Sequence, residues 1–296
     1  MNIDKASAVP SELPMLEISD NTIDVEEVFE NKSPRMAKLI PKFIYKYLRR
    51  IIHEKEINEF LRNHKDMQGL DFVAATLDYF NVHIDIVNEQ YLRESNRMIV
   101  ASNHPLGGLD GMALLHVLGK YDNHVITPAN DILMFLPNTV DLFVPVNKHG
   151  SNVAYAKILD ETFKSDKTIM IFPAGLCSRK QKGLIRDTQW KHTFINKAIK
   201  YNRLILPVHF SGRNSNFFYN LANIRKFLRI KSNIEMLFLV NEMFKKYNEQ
   251  MVITLGKPIS PEVFDKSRSR LAWAEAVRQY IYRLGNDKTA IFDPHA

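Results

Sequence analysis

The chain has 296 residues, and its 40 lysine and arginine residues exceed its 33 aspartate and glutamate residues, which gives a net charge of +7 at pH 7. A hydrophobic content of 45% is enough for a full core, and the excess positive charge favours anionic neighbours such as acidic lipid or nucleic acid. The single cysteine, Cys177, excludes an internal disulfide framework and a cysteine-rich metal site, and it indicates a reducing, cytoplasmic compartment. No apolar run is long enough for a membrane span, and no secretory signal is expected.

The N-terminal region divides into two predicted parts. Residues 1–33 contain two prolines and several acidic residues without sustained periodicity, which predicts a loosely ordered leader or a surface wrap. In residues 34–66, apolar residues from Met36 to Ile52 recur at steps of three and four, the spacing of an apolar stripe along a helix. Pro41 predicts a kink in this helix or a restricted first turn.

The opposite face of this helix is cationic, because no acidic residue occurs between Arg35 and Arg50. Such a face suits anionic lipid headgroups, where each cation adds roughly 1 kcal/mol of attraction. An amphipathic helix packed on its own domain is the alternative. The face lacks the polar residues that read DNA bases, so no nucleic acid partner is expected. We interpret residues 34–66 as membrane-seating helices, with these predicted contacts: Lys38, Lys42, Phe43, Lys46, Tyr47, Arg49 and Arg50.

From residue 67 onwards strands alternate with helices, which predicts one α/β domain over residues 67–296 with a mixed, largely parallel sheet flanked by helices. The predicted strands cover residues 81–88, 97–102, 124–128, 142–146, 168–173, 203–210 and 251–256. The predicted helices cover residues 69–80, 110–119, 151–164, 187–201, 216–229, 233–246 and 268–284. The segment 217–230 is predicted to be a core helix with its arginine and lysine side chains in solvent. In such sheets ligands bind at loops that follow the carboxyl ends of strands.

One such loop carries His104 directly after a predicted strand and Asp110 at the start of the next helix. On a continuous helix, side chains six residues apart would be separated. Gly107 and Gly108 allow the chain to fold back, so that the carboxylate can accept the Nδ1 hydrogen of the imidazole. This pairing makes the imidazole a general base. A loop histidine followed by an aspartate helix cap is the alternative.

Three further loops follow predicted strands and carry basic or glycine residues, at 144–152, 171–183 and 206–215. Together with the His104 loop they suit a substrate that bears negative charge. Cys177 in the second loop is more simply a buried small side chain than a nucleophile. No set of histidine, cysteine or acidic residues has the spacing of metal ligands, so no metal is expected.

The order of these loops resembles the glycerolipid acyltransferase family, the enzymes similar to lysophosphatidic acid acyltransferase. The family motif Asn-His-x4-Asp is matched by Asn103, His104 and Asp110 with one extra residue. Its Phe-Pro-Glu-Gly-x-x-Ser loop is matched by residues 172–178 and its Val-Pro-Val block by residues 206–208. Lys148 stands at the family's intermediate basic position.

The resemblance implies direct transfer of a fatty acyl group from acyl-ACP or acyl-CoA to the hydroxyl of a lyso-lipid, without a cofactor, at the cytoplasmic face of the inner membrane. His104 and Asp110 are the implied catalytic pair, with oxyanion donors in the Gly175 loop. The implied substrate-binding residues are Asn103, Gly107, Gly108, Lys148, Gly175, Ser178 and Arg179.

One departure from the family pattern concerns the acceptor. Ala174 occupies the place of the family glutamate that helps hold a glycerol-phosphate acceptor. This version resembles a bacterial branch labelled haemolysin-like, which is associated with acylation of the hydroxyl of N-acyl amino acid lipids. Such an acceptor carries a carboxylate that Arg179 or Lys148 would pair with. A catalytically inactive membrane-surface protein on the same fold is the alternative to a lyso-lipid acyltransferase.

Overall fold

The computed structural model describes residues 22–32, 34–94, 97–129, 137–145, 152–230 and 232–295. The helices within these ranges are α1 (Val25–Lys32), α2 (Pro34–Ala37), α3 (Lys42–Ile52), α4 (Glu54–Asn63), α5 (Gly69–Tyr79), α6 (Gly108–Gly119), α7 (Asn152–Lys164), α8 (Thr193–Tyr201), α9 (Asn216–Phe227), α10 (Leu239–Phe244) and α11 (Arg270–Leu284). The strands are β1 (His83–Val87), β2 (Ile99–Ser102), β3 (Thr127–Ala129), β4 (Phe143–Pro145), β5 (Ile169–Ile171), β6 (Arg179–Gln181), β7 (Leu184–Arg186), β8 (Ile205–Phe210) and β9 (Gln250–Leu255).

The central sheet has five strands in the order β1-β9-β8-β2-β5. Its neighbouring strands are parallel except for β8 and β9, which are antiparallel. Beyond β5, a parallel bridge between Ile126 and Ile169 connects the sheet edge to the parallel pair β3 and β4. Each predicted strand overlaps an observed one, so the prediction of a mixed, largely parallel sheet flanked by helices is confirmed.

Apolar clusters cover both faces of the sheet. Because successive side chains of a strand point to opposite faces, Val100 of β2 packs with α5 and α6, whereas Ile99 and Ala101 pack with α8 and α11. All three side chains are fully buried, and each large one stabilises the fold by about 1.5–3 kcal/mol relative to exposure. The strand that leads into His104 is therefore held on both faces.

The predicted helix over residues 187–201 begins only at Thr193. Before the predicted helix, residues 179–186 form an antiparallel hairpin of β6 and β7, which the sequence did not predict. Lys182 and Gly183 make its two-residue turn with φ values of 48° and 83°. Positive φ at both central positions is the geometry that twists a hairpin correctly, and glycine adopts it without steric cost.

The helix predicted from the apolar stripe is divided into three. α2 ends at Ala37, and Pro41 with φ −63° precedes the first residue of α3. His53, with φ 54°, separates α3 from α4. A proline cannot donate to the preceding turn and a left-handed residue reverses the local handedness, so each one interrupts the helix.

The final part of the predicted leader is ordered, because residues 22–32 include helix α1. Val25 is buried among the inner side chains of α3, and its N–H donates to the Glu54 carboxylate at 2.9 Å. In this part the chain is helical and packs against α3 and α4, as a surface wrap would. Contacts with α3 and α4 stabilise a short helix whose own sequence has no sustained periodicity. Residues 1–21 lie outside the described ranges.

No helix in the described ranges combines the length and the apolar content needed to cross a bilayer. The longest of them, α11, has 15 residues, which is shorter than the roughly 20 residues of a typical span.

Candidate active site

The His104–Asp110 pair lies in the loop that joins β2 to α6. Nδ1 of His104 is 3.1 Å from Oδ1 and 3.2 Å from Oδ2 of Asp110. The carboxylate is fully buried, and it also accepts the N–H groups of Leu106 and Gly111, each at 2.8 Å. Because both oxygens are acceptors, Nδ1 carries the hydrogen and Nε2 is the basic nitrogen. Nε2 makes no hydrogen bond with any described residue.

Gly107 makes the six-residue spacing of this pair possible. It precedes α6 with φ 99° and ψ −114°, a conformation that residues with a Cβ rarely adopt. A Cβ at Gly107 would also lie 3.1 Å from Leu239 and 3.3 Å from the Cys177 sulfur. The structure thus gives Gly107 a conformational role in place of the predicted substrate contact. Gly108 is simply the first residue of α6.

Opposing effects act on the pKa of His104. Burial, the largest single effect, lowers it, whereas the charge and hydrogen bond of Asp110 and the charge of Asp187 raise it. The net result is a pKa above the ordinary value of 6.5. One face of the ring stacks on Phe172, with 3.9 Å between ring centroids and 19° between planes. The imidazole is thus shielded, oriented and more basic than usual, as a general base requires.

Asn103 bonds to the neighbouring strand β8. Its side-chain amide donates to the carbonyl of Phe210 at 2.9 Å and accepts the N–H of Phe210 at 2.7 Å. This reciprocal pair extends the β2–β8 ladder past Ser102. Asn103 is buried and both ends of its amide are bonded within the protein, so its role towards substrate stays a prediction. It fixes the start of the His104 loop.

Asp187 is a buried carboxylate that the sequence analysis missed. Its Oδ1 accepts the hydroxyl of Ser178 at 2.6 Å and the N–H of His104 at 3.2 Å, and its Oδ2 accepts the indole N–H of Trp190 at 2.9 Å. The N–H of Ser178 also donates to the His104 carbonyl at 2.7 Å. The Ser178 hydroxyl therefore donates within the protein, and its role as a substrate ligand stays a prediction.

The main chain of Asp187 joins this network to α11. Its N–H donates to the hydroxyl of Tyr282 at 2.6 Å, and its carbonyl accepts from Arg278 at 2.8 Å. Burial raises the pKa of Asp187 above its ordinary value despite its donors, which act in the opposite direction. Asp187 and His104 are 83 residues apart, so no local spacing in the sequence indicates their contact.

Arg179 belongs to a buried ion-pair cluster. Its guanidinium is 3.0 Å from Oε1 of Glu235, and the other oxygen of Glu235 is 2.8 Å from Nε of Arg225. Arg179 also donates to the carbonyl of Cys177 and lies 5.2 Å from the ring centroid of Phe218. With 2% of its surface exposed and its charge already paired, Arg179 does not fit its predicted role as the partner of an anionic acceptor group.

The loop of Gly175 is a tight turn in which Gly175 has φ 70°. Its own N–H donates to the carbonyl of Phe172 at 2.9 Å, and the role of this loop's N–H groups as oxyanion donors stays a prediction. The ammonium of Lys191 lies 3.4 Å from the point where a Cβ of residue 175 would be, which places a cation beside the turn. Lys148 lies in the range 146–151, outside the described residues, and its role stays a prediction.

Cys177 packs inside the site as an apolar side chain. It is 1% exposed, and burial raises the pKa of its thiol to about 12. A thiol with this pKa is almost entirely protonated at neutral pH and is a poor nucleophile. The described residues thus supply a base at His104 but no activated thiolate.

A cavity of about 190 Å³ lies beside the His104 loop. Its lining includes Asn103 and Pro105, the two neighbours of His104, together with Tyr282 and His209. Burial lowers the pKa of His209 to about 4, so this imidazole is neutral at pH 7. None of the described residues that line the cavity is a lysine, arginine, aspartate or glutamate, so the cavity suits an uncharged group.

A histidine oriented by a buried aspartate at the end of a parallel strand defines an enzyme that activates a hydroxyl or water by general-base catalysis. The sequence profile described as Acyltransferase matches residues 27–290. The chain belongs to this family and is an acyltransferase.

Two curated relatives are similar to nearly the whole chain. The lyso-glycine lipid O-acyltransferase of Bacteroides thetaiotaomicron is 46% identical over 264 residues, which cover 88% of this chain and 97% of the relative. The enzyme of the same name from Phocaeicola vulgatus is 44% identical over 264 residues, 88% of this chain and 95% of the relative. The crystal structure of the 1-acyl-sn-glycerophosphate acyltransferase PlsC from Thermotoga maritima is 13% identical with a TM-score of 0.46, covering 73% of this chain and 78% of that one.

The raised pKa of His104 predicts a pH dependence. The rate of acyl transfer should rise as His104 loses its proton, with a midpoint above pH 6.5. Asp110→Asn removes the charge that raises this pKa and leaves the lowering effect of burial. The midpoint should therefore move to lower pH, while the maximal rate falls by about 10²–10⁴-fold. A pH profile of kcat/KM measures both effects, and an unchanged midpoint in the variant would contradict the assignment.

Proposed function

We propose that the protein transfers a fatty acyl group from an acyl thioester to the hydroxyl of a lyso-lipid in membrane lipid synthesis. The observation that carries the proposal is the geometry of His104, whose Nδ1 is held by the buried Asp110 while Nε2 has no partner among the described residues. Both curated relatives act on a lyso-lipid by name, which supports the acceptor class.

In the proposed reaction, Nε2 of His104 removes the proton of the acceptor hydroxyl as its oxygen attacks the thioester carbonyl. The tetrahedral intermediate then collapses, the carbon–sulfur bond breaks, and the departing thiolate takes the proton from the imidazolium. Asp110 stabilises the imidazolium between these two proton transfers. The products are an ester and a free thiol, and no acyl-enzyme is formed. The buried, protonated thiol of Cys177 is consistent with this direct route.

We favour an N-acyl amino acid lipid with a free carboxylate over a lysophospholipid as the acceptor. The family glutamate associated with a glycerol-phosphate acceptor is replaced by Ala174, which is buried in the core. Because Arg179 is already paired, Lys191 beside the Gly175 turn becomes the candidate partner for the carboxylate, next to the earlier candidate Lys148.

Acyl-ACP and acyl-CoA are both proposed as donors, because both present the thioester at the end of a neutral pantetheine arm. The uncharged cavity beside Pro105 suits such an arm, whose amide groups would meet polar side chains such as Tyr282. The pantetheine arm is common to the two donors, so the cavity supports binding of either one. The panel assay below compares the two carriers.

A panel assay tests the proposed function. Labelled acyl-ACP and acyl-CoA would each be offered with lyso-glycine lipid, lyso-ornithine lipid and lysophosphatidic acid, all dispersed in detergent. We expect a labelled diacyl product from the amino acid lipids and little from lysophosphatidic acid. Product from lysophosphatidic acid alone would overturn the acceptor assignment. No product from any pair, with a folded protein, would favour the inactive membrane-surface protein.

Peripheral association with the cytoplasmic face of the inner membrane is part of the proposal, and the cationic side chains of α3 support it. Lys42, Lys46 and Arg50 are exposed on this helix, and Lys38 is exposed just before it. Arg49 differs, because it is ion-paired with acidic residues of the N-terminal segment and of α4: Asp24, Glu26 and Glu54. This pairing makes Arg49 a weaker candidate for membrane contact than the four exposed cations.

Neutralising the four exposed cations with glutamine should weaken binding to anionic vesicles by about 10²–10³-fold at low salt and by less at high salt, because surface attraction is screened. Arg49→Gln is the matched control. It removes one charge from an ion-paired group, so it should change vesicle binding far less than the single variant Lys46→Gln, which removes one charge from an exposed group. Vesicle sedimentation at two salt concentrations measures the difference, and equal effects would contradict the assignment of Arg49.

A further inference from the structure

α9 turns an apolar face towards solvent. Phe217, Ile224, Phe227 and Leu228, at its ends and along one side, are exposed by 50%, 55%, 86% and 58%. Arg225, predicted to lie in solvent, is instead buried and paired with Glu235. Lys226 and Arg229 are exposed as predicted, so α9 is oriented as a core helix in which only Arg225 departs from the prediction.

Packing explains this orientation. Phe218, Tyr219 and Ala222 fill the inner side of α9 and are almost completely buried. The charge of Glu235 draws Arg225 to the same side, because a fully buried carboxylate needs a cation. The remaining apolar residues are left outside, and among monomeric soluble proteins a large exposed apolar patch marks an interaction site.

The exposed face of α9 is continuous with that of α3. The ring of Phe217 contacts that of Phe238 with 5.0 Å between centroids, and Phe238 contacts Tyr47 of α3 at 6.5 Å. Along α3, Phe43 and Tyr47 are one helical turn apart and are 71% and 51% exposed. Leu39, in the turn between α2 and α3, is 80% exposed. The exposed apolar side chains of the two helices and their flanking residues are called the apolar surface. Its members are Leu39, Phe43, Tyr47, Phe217, Ile224, Phe227 and Leu228.

The apolar surface lies next to the catalytic loop through two packing contacts. Leu239, which directly follows Phe238, approaches within 3.1–3.3 Å of the Cβ position of Gly107. A Cβ at Gly212, in the segment that leads into α9, would lie 3.3 Å from the side chain of Leu106. A lipid bound on this surface would therefore lie close to the segment that positions His104.

Charge identifies the occupant of the apolar surface. Neither α3 nor α9 contains an acidic residue, and exposed cations border the apolar side chains on both helices: Lys42, Lys46, Arg50 and Lys226, with Arg229 just after α9. Exposed aromatic and aliphatic side chains bordered by cations match an anionic bilayer interface. In a two-fold dimer the same patch would face itself, and these cations would repel one another.

We propose that α9 and α3 together form one lipid-contact surface, occupied by an anionic bilayer, with Phe227 and Leu228 inserted between headgroups. This inference deepens the proposed function, since the surface would hold the enzyme where a membrane-embedded acceptor reaches His104. The vesicle contact itself does not depend on catalysis.

The test uses the full chain and vesicles of phosphatidylcholine with phosphatidylglycerol. The double variant Phe227→Ser, Leu228→Ser should reduce the partition coefficient by at least about tenfold. This loss should persist at high salt, because it removes apolar contact and no charge. The control variant Leu271→Ser, Ile291→Ser changes two side chains that are 42% and 69% exposed elsewhere and should bind like the parent protein.

Four outcomes are distinguished. Parent-like vesicle binding by the α9 variant would overturn the proposal. The proposal would also be overturned if the parent protein bound no vesicles and formed a dimer in sedimentation equilibrium, and the α9 variant were a monomer. If the α9 variant loses vesicle binding but keeps full activity on detergent-dispersed acceptor, the proposal is supported. If the parent binds vesicles through α9 but transfers no acyl group to any acceptor, the surface assignment stands and the proposed function fails.

Discussion

The variant His104→Ala is expected to lose acyl transfer by about 10²–10⁴-fold, the contribution of a positioned general base. His104 lies in the loop between β2 and α6. Its Nδ1 is bonded to Asp110, which leaves Nε2 available to take a proton. The pKa of His104 is raised, whereas the buried His209 on the neighbouring cavity has a pKa of about 4 and accepts a proton poorly. Initial rates with saturating acyl donor measure the loss.

His124→Ala is the matched control for this prediction. His124 also lies beside a carboxylate, with 3.6 Å between its Nδ1 and Asp122, but its side chain is 71% exposed on a distant turn. Its replacement should leave the rate unchanged. Both variants should unfold cooperatively near the parent's midpoint, because His104→Ala removes only one partly exposed ring. A His104→Ala protein with a parent-like rate would show that another group is the base.

The second large effect is expected on stability, from Glu235→Ala. Glu235 is fully buried between Arg179 and Arg225, which are 2% and 9% exposed. Removing it leaves two buried guanidinium groups without their counter-charge. Breaking a buried ion pair in this way lowers the free energy of unfolding by about 3–5 kcal/mol. Equilibrium denaturation in urea, followed by far-ultraviolet circular dichroism, measures the change.

Arg179→Ala separates the two roles considered for this arginine. If Arg179 acts in the ion-pair cluster, as its contacts indicate, the variant should lose stability to a similar degree because Glu235 loses a partner. A role as acceptor ligand predicts instead a raised KM for the acceptor with unchanged stability. Lys180→Ala, one residue along the same strand and half-buried, is the control and should alter neither quantity.

Local patterns in the sequence determined the α/β architecture and the contact between His104 and Asp110. Alternation of short apolar runs with helical periodicity predicts the strands and most helices, because both signals arise within ten to fifteen residues. The His104–Asp110 contact is also local. A strand end, a glycine that permits positive φ and a carboxylate six residues away suffice to predict it.

Only the tertiary structure decided which of the predicted site residues are engaged within the protein. Asn103 is bonded to Phe210, 107 residues away, and Arg179 is paired with Glu235, 56 residues away. Asp187 joins the His104 loop across 83 residues. A side chain's type shows what it can bond to, but the partner that saturates it is set by which distant segments the sheet brings together.

The tertiary structure also decided which faces of α3 and α9 are exposed. The stripes of α3 and α9 predict amphipathic helices, but a stripe alone does not show which side faces the core. Glu235 draws Arg225 inward and leaves Phe227 exposed, and Asp24 and Glu26 neutralise Arg49. Burial of a helix face depends on the volume and charge offered by its neighbours, and these are properties of the assembled fold.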